Sequence, residues 1–326
     1  MSLAYTTKTH SAPYPRIDPA QPHLSAAAKT VLIVGGSTGI GRATAAAFLA
    51  AGATRLVLTG RREDVLAATA AELAQQSHNT VAKILTFAVD VTDEAGMEHV
   101  FVETEKAFGN PPDVVINCAG ALGGSLKPLS TLDDDEYKNW WSAFETNVRG
   151  PASLARLVVR HASSASSAAA ATATASENKD GVREATPTRT PTTLIQLSTA
   201  GALFPANGAL PMSAYAASKL AAIKVMEYVG AETDPGVLRV LSVHPGIFPG
   251  TEGGQAMVKE SGIAWEGDDI NLPAHFLVWA ASQEAEFLRN KLVFATWDVD
   301  ELVARKEEIS STLELLIGLN GFPRAI

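Results

Sequence analysis

Four apolar residues, Val31-Leu32-Ile33-Val34, run without a polar break into Gly35-Gly36-Ser37-Thr38-Gly39-Ile40-Gly41 and then into a helical pattern from Arg42 to Ala51, closed by Gly52. A strand that never alternates with polar residues is covered on both faces, which is the condition of a parallel sheet. The same rhythm continues along the chain. Arg55 to Leu58, Lys83 to Val89, Asp113 to Asn117, Thr193 to Leu197, Leu238 to Val243 and Lys291 to Ala295 read as further strands. Helical patterns occupy Glu63 to Gln76, Asp93 to Phe108, Asp134 to His161, Ser213 to Glu232, Pro273 to Ser282 and Asp300 to Leu316. Strands alternating with helices require right-handed crossovers, so an α/β fold is expected: a doubly wound parallel sheet of about seven strands with helices on both faces.

Two segments fall outside that rhythm. Residues 1–29 contain Pro13, Pro15, Pro19 and Pro22 and should run as an extended arm over the surface of the folded domain. Ala162 to Ser176 is all Ala, Ser or Thr, and a polar stretch carries on to Thr193. With nothing large to bury, residues 162–192 read as a flexible insertion and not as a boundary, because the strand pattern resumes afterwards. Residues 30–326 are therefore expected to form a single domain.

Composition narrows the function. A formal charge of −9, from 26 Lys and Arg against 35 Asp and Glu, argues against a general nucleic-acid binder. A lone cysteine, Cys118, excludes an internal disulfide framework and points to a reducing compartment, the cytoplasm. No apolar run reaches the ~20 residues that cross a bilayer, and the arm does not read as a secretory signal. No metal site is expected.

The glycine cluster between a buried strand and a helix lets the backbone turn sharply and approach a pyrophosphate, whose charge meets the free N–H groups of the helix. Gly35, Ser37, Thr38, Gly39, Ile40 and Gly41 are the residues expected to form that cradle. NAD-binding chains place an acidic side chain near the end of the second strand for the ribose hydroxyls. Here Gly60 is followed by Arg61 and Arg62, and a planar cation suits a 2′-phosphate, so the expected cofactor is NADP(H). Arg42 is a candidate helper. Tyr215 and Lys219 lie four residues apart, on one helical face. A phenol has a pKa of about 10, too high to cycle near neutrality, and a nearby ammonium should lower it.

These motifs together resemble the short-chain dehydrogenase/reductase family, whose Rossmann-type fold they imply. The glycine spacing matches the family's, except that the motif begins with Val34 in place of Thr. Asp90-Val91 resembles the adenine-binding pair, and Asn117-Cys118-Ala119-Gly120 the Asn-Asn-Ala-Gly motif, with Cys118 as a packing residue. Asn147, Ser198, Tyr215 and Lys219 look like the Asn-Ser-Tyr-Lys tetrad. The resemblance implies Tyr215 as acid/base, Lys219 as its tuner and ribose ligand, Ser198 holding the substrate oxygen, and Asn147 supporting a proton path. Pro245-Gly246-Ile247 resembles the segment that approaches the nicotinamide, with His244 a hydrogen-bonded strand-end residue. Thr251 falls one place later than the family's phosphate-contacting threonine. Ser198 and Tyr215 also stand farther apart than usual, with the extra residues between Leu203 and Met212. Residues 247–271 are expected to form a substrate lid, and Trp140 and Trp141 a core or subunit contact or, failing that, a substrate wall.

The implied activity is interconversion of a ketone and a secondary alcohol on a small molecule, in a homodimer or homotetramer. The arm and the C-terminal part resemble fungal members, many of which serve secondary metabolism. Two alternatives stay open: a redox-neutral isomerase, dehydratase or cyclase on the same scaffold, and a non-catalytic NADP-sensing regulator.

Overall fold

The computed structural model describes residues 4–76, 82–124, 126–174, 189–206 and 210–319. Its elements in chain order are β1 (Thr30–Val34), α1 (Gly39–Ala50), β2 (Arg55–Gly60), α2 (Glu63–Gln76), β3 (Lys83–Ala88) and α3 (Glu94–Phe108). There follow β4 (Val114–Asn117), α4 (Asp134–Phe144), α5 (Gly150–Thr174), β5 (Thr192–Leu197), α6 (Ser213–Glu232) and β6 (Leu238–His244). The chain then forms α7 (Glu252–Ser261), α8 (Asn271–Ala280), β7 (Leu292–Phe294), α9 (Val299–Ala304) and α10 (Lys306–Ser311). All pairings are parallel, in the order β3-β2-β1-β4-β5-β6-β7. The order reverses between β1 and β4, and a crevice opens at the carboxyl ends of the strands at such a switch point.

The unbroken apolar run of β1 has a simple cause. Val31 and Ile33 face a core shared with Phe48 of α1, Leu66 of α2 and Phe276 and Trp279 of α8. Leu32 and Val34 face the opposite core, with Met97, Val100 and Phe101 of α3 and Leu154, Leu157 and Val158 of α5. Each buried side chain of this size contributes about 2 kcal/mol, so the sheet needs both layers.

Several elements depart from the sequence reading. The helix expected over 134–161 is two helices joined by a π-helical turn at Glu145–Arg149, and Asn147 sits inside that turn. The second of them, α5, continues into the Ala/Ser/Thr run as far as Thr174, and Ala162, where that run begins, is buried at 1 % exposure. Residues 175–188 of the expected insertion lie outside the described residues. Beyond them Arg189 is fixed by the carbonyls of Pro111 and Pro112 and by Asp113. The helix expected over 300–316 is the short pair α9 and α10, broken at Arg305. The arm is not simply extended. Its prolines start two 3-10 turns, Pro15–Ile17 and Pro22–Leu24, which bury Ile17 and Leu24 completely or nearly so. Arg16 pairs with Glu284 and Asp300, and Thr9 bridges to Trp297, so the arm is stitched to the C-terminal third.

Candidate active site

The turn after β1 is dictated by sterics. A Cβ on Gly41 would lie 2.1 Å from the Gly35 carbonyl oxygen, far inside contact distance. Gly35 (φ +79°) and Gly39 (φ +54°) adopt left-handed backbone, which costs side-chain-bearing residues energy. A Cβ on Gly35 would also crowd the Ala119 amide at 3.0 Å, so the β4 turn presses against the glycine turn. α1 starts at Gly39 with Thr38 as N-cap but no side-chain capping bond, and no acidic residue occupies its first turn. Its leading N–H groups are left for an anion. Ser37 is held from behind, its carbonyl accepting from the Thr69 hydroxyl at 2.8 Å. Backbone of this shape fits a dinucleotide pyrophosphate.

The end of β2 adjoins this cradle, since a Cβ on Gly60 would stand 3.0 Å from Ser37 Oγ. Arg61 follows with its side chain 81 % exposed, 4.0 Å from Asp90. Asp90 Oδ1 accepts from the Thr92 amide (2.9 Å) and hydroxyl (2.7 Å), and Oδ2 is the oxygen that faces Arg61. Arg62 instead pairs with Glu252 of α7 at 2.6 Å. Arg42 is committed to Glu72 of α2 and does not face this entrance unengaged. Val91 is buried against α5, where a Cβ on Gly150 would collide with it. Asn117 donates to Gln196 and accepts from the Ala119 amide, so its buried amide shapes the β4 turn.

The polar cluster forms where α4, α5 and α6 converge on the turn after β4. The π-helical turn rotates Asn147 inward. Its Nδ2 donates to the Ala121 carbonyl (2.7 Å) and to Ser218 Oγ (2.9 Å), and its Oδ1 accepts from the Ala121 amide (2.9 Å). Lys219 is 4 % exposed, and its Nζ donates to the Leu197 carbonyl at 3.1 Å. A Cβ on Gly120 would meet Lys219 Nζ at 3.1 Å and Asn147 Oδ1 at 3.4 Å, so all three residues share one small space. Burial holds Lys219 down at about 8. Half-buried Tyr215 shares a hydrogen bond with the Thr199 side chain. Desolvation pushes its phenol above the ordinary value, and that bond offsets the rise in part. The expected lowering by Lys219 is thus not what sets this group: burial dominates, and the relief comes from Thr199. Ser198, next to it, is 5 % exposed with an Oγ that has no hydrogen-bond partner among the described residues. An orphaned buried hydroxyl is costly unless something completes it. Cys118 lies close enough to feel Lys219, yet burial drives its thiol to about 12, which suits packing and not nucleophilic attack.

Residues 247–268 leave and rejoin the body at one neck. The Ile247 amide donates to Asp268 Oδ2, and the Asp268 amide to the Ile247 carbonyl, both at 2.8 Å. The loop carries α7, which the sequence reading did not foresee, because its apolar residues are few. Thr251 caps α7 by accepting from the Gly254 amide (3.1 Å). A Cβ on Gly39 would touch Thr251 Cγ2 at 3.4 Å, so this threonine does lie against the glycine turn. His244 is not hydrogen-bonded through Nδ1 as expected; that atom is orphaned among the described residues, and burial lowers the ring to about 4. Pro245 and Gly246 follow, Gly246 at φ +117° with no room for a Cβ beside Asp268. Trp140 Nε1 donates to Ser213 Oγ at 2.9 Å, close to Tyr215, while Trp141 stays half exposed in an aromatic cluster with Tyr137 and Phe144. Residues 207–209, in the lengthened stretch before Tyr215, lie outside the described residues.

Residues 29–185 match the family model of the short chain dehydrogenases. A short chain dehydrogenase/reductase of Aspergillus aculeatus, AacuD, is 33 % identical over 319 residues, covering 97 % of each chain. The chain belongs to the short-chain dehydrogenase/reductase family. A family member from Claviceps purpurea is also 33 % identical, over 95 % of this chain and 92 % of its own. Among solved structures, levodione reductase superposes with a TM-score of 0.66 at 21 % identity, covering 82 % of this chain and 95 % of its own. A Mycobacterium ulcerans short-chain enzyme gives 0.67 at 21 % identity, over 85 % and 91 %. This short-chain dehydrogenase/reductase is accordingly an oxidoreductase that acts on small molecules with a nicotinamide cofactor. Sequence reasoning missed Thr199, Ser218 and Glu252. The first two adjoin Ser198 and Lys219, and adjacency was the available signal; Glu252 had none. Among the described residues, no helix is long and apolar enough to cross a membrane.

Proposed function

We propose that the chain interconverts a ketone and a secondary alcohol with NADP(H), with Tyr215 as the acid/base. The observation that carries this reading is the orphaned, buried Ser198 Oγ beside the Thr199–Tyr215 contact. A substrate carbonyl oxygen supplies the missing partner, and Ser198 then stabilises the charge that develops on it. When bound, the cofactor supplies or removes hydride at the substrate carbon. In reduction Tyr215 delivers its phenolic proton to that oxygen; in oxidation it takes the proton back. The raised proton affinity of Tyr215 suits a group that must hold its proton until the oxygen becomes basic. Lys219, with its ammonium turned toward the space over Gly120, binds the ribose hydroxyls and returns charge balance to the phenolate. Asn147 fixes the turn that brings these groups together. Arg61, faced by Asp90 Oδ2 at 4.0 Å and otherwise solvated, serves a 2′-phosphate, and the residue that closes β2 is the uncharged Gly60 in place of an acidic one. Gly35, Ser37, Thr38, Gly39, Ile40, Gly41 and Thr251 hold the phosphates in this reading, with Ile247 and Gly246 flanking the nicotinamide.

Residues 30–326 act as one catalytic domain in this proposal, and 247–271 as the lid. The exposed Tyr137 and Trp141 of α4 and Tyr228 of α6 give the two helices an apolar face suited to a second subunit. In this proposal the enzyme works in the cytoplasm and serves fungal secondary metabolism.

The test is a panel of ketones with NADPH, followed at 340 nm. Ketone-dependent oxidation of NADPH is expected, and Tyr215→Phe should lower it at least ~100-fold while NADPH binding, read by fluorescence, persists. Turnover of substrate without change at the nicotinamide would replace this reading by the redox-neutral one.

A further inference from the structure

Two arginines follow β2, and the structure treats them differently. Arg61 is 81 % exposed, and the carboxylate oxygen that faces it, Asp90 Oδ2, stays at 4.0 Å, beyond hydrogen-bond reach, while Thr92 holds the other oxygen, Oδ1. Arg62 carries a carboxylate directly: Glu252 Oε1 sits 2.6 Å from its Nη2. That carboxylate comes from the opposite wall of the cleft. Glu252 opens α7, one residue after Thr251, whose methyl borders Gly39. As the first residue of a helix it is also held in place by the positive helix end. The pair therefore spans the entrance between the β2 turn and the lid.

We propose that Glu252 is a specificity-determining residue for the cofactor, occupying Arg62 so that a 2′-phosphate must displace it. The inference rests on the reading that the β2 turn receives the adenosine ribose. A ribose bearing a free 2′-hydroxyl can enter with the pair intact. A 2′-phosphate brings close to two negative charges beside an arginine that already holds one. It must either share the guanidinium with a like charge or open the pair and detach α7 from the turn. Arg61 is the open receptor, Arg62 the guarded one, and the guard belongs to the lid. Both partners are partly exposed, at 49 % for Arg62 and 63 % for Glu252, so the effect is modest and salt-sensitive.

Two fragments isolate the phosphate: adenosine 2′,5′-bisphosphate and adenosine 5′-phosphate, with affinities measured by calorimetry. In Glu252→Gln the bisphosphate should bind about three- to fivefold more tightly at low salt, with the 5′-phosphate unchanged and the gain gone at ~1 M salt. The gain should also vanish when Arg62→Gln is added. Unchanged bisphosphate affinity in Glu252→Gln, or an equal gain for both fragments, overturns the proposal. A wild-type protein that does not prefer the bisphosphate refutes the NADP reading instead, and a preference appearing only in Glu252→Gln would still establish the guard.

Discussion

The glycine turn after β1 and the polar cluster at the head of α6 meet at the same edge of the sheet, yet they are built on different physics. The turn is fixed by what cannot be there: three glycines occupy places where a Cβ would strike backbone or force a left-handed conformation. The cluster is fixed by what must be paired. The side chain of Asn147 makes three hydrogen bonds, that of Lys219 one, and that of Ser198 none among the described residues. A sterically fixed site is preformed and indifferent to pH. A cluster of buried polar groups is neither, because its energies depend on water being excluded and on which protons are present. Substitutions that act on one mechanism should leave the other untouched.

The largest effect is expected from Gly41→Ala. Its Cβ would stand 2.1 Å from a carbonyl oxygen, so the turn must open, and NADPH affinity should fall by about a hundredfold, some 2.7 kcal/mol. Gly253→Ala in α7 meets nothing within 4 Å and serves as the control, with affinity unchanged. Binding by Gly41→Ala equal to the control would show that the cradle yields, and the contrast with the polar cluster would lose its steric half.

That division also explains what could be read from the chain beforehand. Glycine positions and continuous apolar strands are local rules, so β1, the glycine turn and the order of strands and helices were legible. The π-helical turn at Glu145–Arg149 was not, because its extra residue is stabilised by tertiary bonds from Asn147 to Ala121 and Ser218 and by no local pattern. Alanine favours helix, so some extension of α5 into the Ala/Ser/Thr run was legible, but not its reach to Thr174, because small residues give no periodicity. Tyr215 and Lys219 were legible as a pair, but not their proton affinities. Sequence spacing suggested an ammonium lowering a phenol, whereas burial raises the phenol and lowers the ammonium. The arm was read as extended because prolines do not reveal which apolar neighbours, here Ile17 and Leu24, will find a pocket.

Lys219 offers a sharper test of the polar half. Its folded-state value near 8 lies below the ordinary 10.5, so between those values the unfolded chain binds more protons than the folded one. Stability therefore rises with pH across that window, and the full cost of the buried charge is present below about 8. Lys219→Met removes the cost. At pH 7 the variant should melt about 3 °C higher than the wild type while losing activity, and its advantage should shrink as pH climbs from 8 toward 10.5. Calorimetric scans at several pH values read this directly. A variant less stable at pH 7, with no pH-dependent difference, would mean that the bond to the Leu197 carbonyl outweighs desolvation.

The smallest effect concerns the proton itself. Thr199 Oγ1 accepts from the Gly201 amide at 3.2 Å, which leaves its own hydroxyl proton free to point at Tyr215. A donor at that place stabilises the phenolate and not the phenol. Thr199→Val keeps the shape and removes the donor, so the Tyr215 ionisation should move up by about 0.5 to 1 pKa unit, as expected for one hydrogen bond of roughly 1 kcal/mol. The shift should appear in the pH profile of kcat/KM and in the tyrosinate absorbance difference against Tyr215→Phe, and Thr199→Ser should restore the original value. The glycine turn lies elsewhere, so NADPH affinity should not change in either variant. An unmoved ionisation in Thr199→Val would leave burial as the sole control of the phenol, and the cluster would then be tuned, like the turn, by exclusion alone.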